Sequence, residues 1–316
     1  MRYYVITITD PAGVAPTRAW SSLLDSGAFN PAAAQIELDI PTVPFATPMG
    51  QAYLRIWGPS LQDVAQASNF NGRNITIAGG MSKGLPLANP KQAGVLVIAT
   101  VQQAFGNWEG INQSLDFNLI PNGVNFTQPA NLVHNWTAGT PLATVIKNTL
   151  AVAFPTYTAN INISPNLVLA HDEPGFSQSL VQFGTYIKSV SQAILGGTYP
   201  GVDIVLRNNV FSVYDGTTTK TPTQVAFTDM IGQATWINPG QISFYNVMRA
   251  DINVGDYIKM PPGQVTTTPQ SLSQYRQGSV FQGTFQVDMV RHVGNFRQRD
   301  GRGWVTSFYA HPVVTS

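Results

Sequence analysis

Hydrophobic and polar positions alternate from the first residues of the chain, where Tyr3-Tyr4-Val5-Ile6-Thr7-Ile8-Thr9 has the period of a half-buried strand. The alternation returns over 35–40, Gln-Ile-Glu-Leu-Asp-Ile. Further strands are expected over 52–57, 74–78, 94–103 and 113–120, with Gly, Pro and Asn between them. One short helix interrupts the series. Ser60-Leu61-Gln62-Asp63-Val64-Ala65-Gln66-Ala67 opens with a Ser-x-x-Asp capping pattern and stops before Asn71-Gly72.

The period then changes. After Thr140-Pro141, an N-cap with Pro at the first helical position, Leu142, Val145, Ile146, Thr149 and Leu150 recur at helical spacing as far as Pro155. A second helix is expected over 177–195, with Leu180, Phe183, Ile187, Val190 and Ile194 on one face and Gly196-Gly197 as its stop. Strands flank both helices, and Val202–Val213 reads as a hairpin turning at Asn208-Asn209. Beyond Asp215-Gly216 the β-type pattern resumes, and 261–278, rich in Pro, Gly, Thr, Ser and Gln, reads as a long exposed loop.

The two β regions end alike. Strand 94–103 leads into Ala104-Phe105-Gly106-Asn107-Trp108 and a return strand at 114–120. Strand 280–291 leads into His292-Val293-Gly294-Asn295-Phe296 and a return strand at 304–310. The expectation is a Gly-Asn-aromatic turn in each and an internal duplication: β domains at 1–125 and 216–316, with an α/β module at 126–215 inserted between them. The fold class is mainly β with a smaller α/β part.

Composition changes the picture at one point. Only 33 of the 316 residues are charged, whereas 44 are Asn or Gln. A typical soluble protein is about 25% charged. A 34.2 kDa monomer should expose roughly 13,000 Å², so this chain carries about one charge per 400 Å², under half the usual density. With 43% hydrophobic residues, such a surface is poorly defended against self-association unless other subunits cover it. A net charge of +1 with both signs scattered argues against a protein built mainly to grip phosphate backbones. Cysteine is absent, so disulfide and thiolate chemistry are excluded. No run of 18 apolar residues occurs and no secretory leader is read before the first strand, so the expectation is a chain without a membrane span that folds in the cytoplasm.

Candidate chemistry is sparse. His171-Asp172-Glu173 is the one cluster resembling a metal or acid/base site, but neighbours on a strand point to opposite faces and Pro174-Gly175 signals a turn. His134, His292 and His311 stand apart in sequence and read as satisfied surface or core groups. No pair among the 16 acids is singled out by spacing, and no nucleophile elbow, phosphate loop or His-Glu-x-x-His is present; Gly79-Gly80-Met81-Ser82-Lys83-Gly84 reads as a glycine-rich connector. No catalytic, cofactor or metal residue is therefore assigned. The one concentration of charge is Arg291, Arg297, Arg299 and Arg302, with Asp288 and Asp300 nearby, at the second Gly-Asn-aromatic turn. It is either a solvated tip or a contact for an acidic partner or passing nucleic acid.

Several stretches together resemble the baseplate hub proteins of tailed bacteriophages, especially those with contractile tails. They are Phe45-Ala46-Thr47-Pro48 leading to Leu54-Arg55-Ile56-Trp57-Gly58, then Gly79 to Pro90, Gln103 to Trp108, Met248 to Asp256, and His292-Val293-Gly294-Asn295. The resemblance implies a non-enzymatic homotrimer without cofactors. Each subunit would supply two tube-like β-barrels, so that six barrels surround a channel and join the sixfold tail tube, or a tube-initiator ring, to a threefold central spike. Other baseplate proteins would be partners, and phage DNA or a tape measure would pass through the lumen without sequence-specific binding. The protein would be assembled in the bacterial cytoplasm and reside in the virion. Under this reading Asn107, Trp108, Asn295, Phe296, Arg297, Arg299 and Arg302 contact adjoining rings or the neighbouring subunit. The rival expectations are another ring-forming tail protein, tube or tube initiator, and a cell-wall or carbohydrate-active hydrolase. Some hub relatives are fused to a spike or lysozyme-like domain, which this sequence does not show, so any such activity would belong to a partner.

Overall fold

The opening alternation becomes β1 (Arg2–Thr9), in which Tyr4, Ile6 and Ile8 are fully buried and the residues between them are not. The computed structural model describes residues 1–10, 16–47, 51–81, 89–121, 131–217, 221–261, 281 and 283–313. After β1 come β2 (Pro16–Ser21), β3 (Gln35–Thr42) and β4 (Ala52–Trp57). Helix α1 (Leu61–Ala65) follows, capped by Ser60, whose hydroxyl accepts the Asp63 amide at 3.1 Å. Then come β5 (Asn74–Met81), β6 (Gly94–Glu109) and β7 (Asn112–Pro121).

The middle of the chain contains β8 (Leu132–Trp136), α2 (Leu142–Ala153), β9 (Thr158–Asn162), β10 (Glu173–Ser177), α3 (Leu180–Leu195), β11 (Asp203–Arg207) and β12 (Val210–Tyr214). The last part contains β13 (Thr223–Gln224), β14 (Thr235–Asn238), β15 (Gln241–Val247), β16 (Tyr257–Lys259), β17 (Thr284–Asn295) and β18 (Trp304–Pro312). The fold is mainly β.

Among the described residues thirteen strands form one sheet in the order β14-β15-β18-β17-β3-β4-β7-β6-β5-β1-β2, with β16 beside β17 and β13 beside β16. The two β regions are therefore continuous: β17 pairs antiparallel with β3 from Val290↔Thr42 to Asn295↔Glu37. One apolar core lies under the first region, including Tyr4, Ile36, Leu54 and Phe117, and it also takes in Met248, Phe296 and Trp304 from late in the chain. Another, with Ile242, Phe244, Val287 and Phe308, lies under the last region. The third belongs to the helical part, where Leu142, Ile146, Phe183 and Ile187 meet Phe211 and Val213 of a three-stranded sheet ordered β11-β12-β9.

Both long helices bury the faces their spacing predicts. Leu142, Val145, Ile146, Thr149 and Leu150 are the buried residues of α2, and Leu180, Phe183 and Ile187 are buried on α3, with Val190 and Ile194 packed against them. Helix α3 ends at Gly196 with φ 61°, a conformation that glycine adopts without a Cβ penalty. The β11–β12 hairpin turns at Asn208 and Asn209, both at positive φ, which matches the right-handed twist of its strands.

Four departures have physical causes. Residues 104–108 are not a turn: β6 stays paired through Trp108↔Gln113, and the chain reverses at Gly110-Ile111. Gly106 marks close approach, since a Cβ there would lie 2.6 Å from the Val64 carbonyl oxygen on α1. Gly294 is likewise inside β17, where a Cβ would lie 2.7 Å from the Trp304 ring. Pro141 is the N-cap of α2 and not its first helical residue. Pro174-Gly175 lies in β10, paired with β8, because Gly175 leaves room for the His134 ring. Strand β2 has no clear alternation and was not expected. The loop expected at 261–278 lies outside the described residues except for its first, as do Pro48 and Ser82 to Ala88 of the resembling stretches. Among the described residues, no helix is long and apolar enough to cross a membrane.

Candidate assembly interface

From β17 to β6 the sheet path crosses four antiparallel steps, through β3, β4 and β7, so β6 and β17 run the same way. The reversal at Gly110-Ile111 and the 296–303 connection consequently project from the same end of the sheet. Strand alternation puts Ile36, Leu38, Leu54, Ile56, Leu115 and Phe117 in the core and sends the polar residues between them to the outward face.

On that outward face a connected set of side chains spans five strands. Asp116 on β7 is fully buried although it points away from the apolar core. It accepts from Asn107 Nδ2 at 2.8 Å, from Ser114 Oγ at 2.9 Å, and from Tyr53 Oη and Arg55 Nε. Burial pushes the Asp116 carboxyl up, but these hydrogen bonds outweigh it and hold the group below the ordinary carboxylate range. The Tyr53 phenol is pushed far above its usual value, by burial first and by the adjoining Asp116 second.

The Arg55 guanidinium lies 5.6 Å from the Tyr53 ring centroid and 5.2 Å from that of Trp57. Trp57 Nε1 donates to Glu37 at 3.1 Å, and Asn295 Nδ2 donates to the same Glu37 oxygen at 3.4 Å. The two asparagines of the Gly-Asn-aromatic segments are thus the ends of one continuous network. Tyr53, Arg55, Trp57, Glu37 and Asp116 were missed in the sequence; the signal that could have found them is the polar and aromatic half of the alternation in β3 and β4.

The two ends of this network differ. At the first, Trp108 is 62% exposed with its indole N–H donated to the Gly110 carbonyl at 2.8 Å, and neighbouring Ile111 is 97% exposed. Phe105 is exposed as well, so the tip is apolar. At the second, Phe296 does not face solvent: it packs edge-on against Tyr4 at 4.9 Å and Trp304 at 5.7 Å. Arg297, Arg299 and Arg302 are exposed around it. Arg297 Nη2 donates to the Ala33 carbonyl at 2.6 Å, and Arg302 lies over the Tyr245 ring at 5.0 Å. Arg2, which no local pattern singles out, joins this group from β1 and donates to the backbone carbonyls of Asn295, Gln298 and Asp300.

Most arginines outside this tip pair with an aspartate; Arg207, held by the carbonyls of Val95 and Ala250, does not. Arg18, Arg55, Arg73, Arg249 and Arg291 each meet an aspartate. Arg2, Arg297 and Arg302 are instead held by carbonyl oxygens or a ring, which fix the guanidinium without cancelling its charge. The result is a basic edge beside an apolar one.

The other singled-out residues lie elsewhere. His171 is exposed and 3.8 Å from Glu173, while Asp172 accepts the Ala138 amide, so the cluster does not converge. His311 meets Asp288 at 2.6 Å and His292 meets Thr306 at 3.0 Å. Burial, with the Arg207 charge second, lowers His292 to about 3. His134 departs from the expected satisfied group: it is buried, stacked on Tyr186 at 4.7 Å, and among the described residues neither ring nitrogen has a hydrogen-bond partner. Its pKa is lowered by burial, opposed by Glu173.

No family model and no curated protein matches this sequence. Solved structures do. The tail protein from Neisseria meningitidis MC58 superposes with a TM-score of 0.51 at 8% identity, covering 98% of this chain and 96% of that one. The 43 kDa tail protein of prophage MuSo2 from Shewanella oneidensis gives 0.53 at 5% identity, covering 98% of each. A chain of the half-lidded Francisella PdpA-VgrG complex gives 0.50 at 8% identity, covering all of this chain, which spans 60% of that one. At such identities the likeness establishes the fold: this chain has the architecture of tail proteins along nearly its whole length.

Proposed function

We propose that this chain is the structural hub of a tail baseplate, in which three copies close a ring that joins a sixfold tube to a threefold spike. The observation that carries the reading is the extent of the fold likeness, 98% of this chain against 96% and 98% of two tail proteins. A shared motif or a single domain would not produce such two-way coverage. In this reading 1–125 and 216–316 supply two barrel-like units per subunit around a channel for the DNA or tape measure, with 126–215 outside them. The protein then has a mechanical role and no catalytic one, in the virion after assembly in the host.

Three features support it. The low charge density suits a subunit covered by neighbours. Exposed edge strands such as β14, where Thr235–Asn238 all face solvent, leave backbone groups that pairing across subunits would satisfy. The two tips at one end of the sheet, one apolar at Trp108 and Ile111 and one basic at Arg297, Arg299 and Arg302, suit contact with a stacked ring or an adjacent subunit.

Native mass spectrometry of the purified chain tests the ring directly. Three copies are expected; six copies favour a tube or tube-initiator protein, and a stable single copy rejects the hub. Reversing Arg297, Arg299 and Arg302 to Glu should leave the chain folded yet block its incorporation into tails. Wild-type particles from that triple variant reject the interface.

A further inference from the structure

The sheet β11-β12-β9 buries Ile204, Leu206, Phe211 and Val213 against the helices. Its opposite face borders a cleft of about 700 Å³, whose far wall is Asn253, Val254 and Asp256 of the last β region. The register places Ser212 beside Asn160 and Tyr214 beside Asn162 on that face. On this floor Asn160, Asn162 and Ser212 stay at least partly exposed, while Val205 and Tyr214 are buried in the core of the last β region.

Two observations point to an occupant. First, β9 pairs only with β12 among the described strands, and every residue from Ala159 to Asn162 lines the cleft. Its other edge offers a ladder of backbone N–H and C=O groups about 17 Å long, five residues at the strand rise. Second, among the described residues Asn208 Oδ1 and Asn253 Oδ1 are buried acceptors without a hydrogen-bond partner, and both residues line the same cleft. Buried orphan acceptors are costly and call for N–H or O–H donors.

We propose that this cleft receives an extended polypeptide segment of a partner protein, which adds as a strand to the free edge of β9. A peptide fits better than a charged ligand. Arg207, the cation in the cleft, already donates to the carbonyls of Val95 and Ala250 at 3.1 and 2.8 Å. Asp256, the carboxylate in the wall, already accepts the Asn253 amide at 2.8 Å, the other polar side chains are amides and hydroxyls of the kind that pair with backbone amides, and Val210 offers a partly exposed apolar surface. The incoming segment is expected to be uncharged and to alternate small apolar residues with Ser, Thr, Asn or Gln. This site stands whether or not the chain forms a ring.

The test uses the full-length chain and a displayed library of random twelve-residue peptides. Recovered peptides are measured by fluorescence anisotropy against the wild type and against Ser212→Trp and Asn160→Trp, which fill the cleft from its floor without entering the helical core. At least a tenfold loss of affinity in both variants is expected, together with slower amide hydrogen exchange across 158–162 when peptide binds the wild type. A library that yields no binder, peptides that bind the variants within twofold of the wild type, or unchanged exchange in β9 each overturn the proposal. Should a tryptophan variant fail to fold, Asn253→Leu replaces it and is expected to weaken binding at least threefold; undiminished binding there counts against the site, and the exchange measurement on the wild type decides independently.

Discussion

Replacing Asp116 by Ala is the sharpest perturbation of the outward network, because it removes one acceptor from four donors at once. A hydrogen bond to a charged group contributes about 1.5–3 kcal/mol when its partner stays buried. The four do not add, and one is largely recoverable: the Arg55 side chain keeps 32% of its surface, so water can solvate its guanidinium once the carboxylate is gone. Ser114 is buried and Tyr53 and Asn107 are half-buried, and their polar atoms recover less. A net loss of about 2–4 kcal/mol is expected, read by urea unfolding of the purified chain at pH 7. Asp116 has a lowered pKa, so its contribution is present above the ordinary carboxylate value of about 4 and is lost as pH falls through the folded value. The difference between variant and wild type should accordingly shrink in strong acid. A double-mutant cycle with Arg55→Ala isolates the pair and should show coupling of about 1 kcal/mol. A change in stability under 0.5 kcal/mol, or a cycle that closes without coupling, would refute the idea that this network holds the strands in register.

Gly106→Ala should destabilise by about 1–3 kcal/mol, since the added methyl meets the backbone of α1 at 2.6 Å; an unchanged thermal midpoint would show that the helix gives way freely. Acid should weaken the fold from near pH 6.5 downward, at about 1.4 kcal/mol per pH unit for each histidine buried neutral. The folded pKa values of His134 and His292 are depressed, so the unfolded chain takes up protons first and stability is complete only above that range. His134→Phe should flatten part of this slope in pH-dependent urea titrations, and an unaltered slope would remove His134 from the account. Gly294→Ala should cost about 1–3 kcal/mol by crowding Trp304 and Leu38, and equal stability by the same titration would contradict that packing.

Local chemistry made much of this protein legible. Alternation set β1, β3 and β4 to the residue or nearly so, because a period of two shows which face of a strand is apolar without reference to its neighbours. The faces of α2 and α3, the Ser60 cap and the Asn208-Asn209 turn were likewise determined within a few residues of sequence. Tertiary structure alone decided that β17 joins β3, a pairing between residues about 250 apart for which no local pattern encodes a partner. It also decided that Gly106 and Gly294 serve close packing inside strands, where sequence reasoning had read turns. The roles of Asp116, Phe296 and His134 follow from the same cause. A side chain's environment is set by what folds onto it, so a carboxylate on an outward face became buried, and an aromatic at a presumed tip turned into the core.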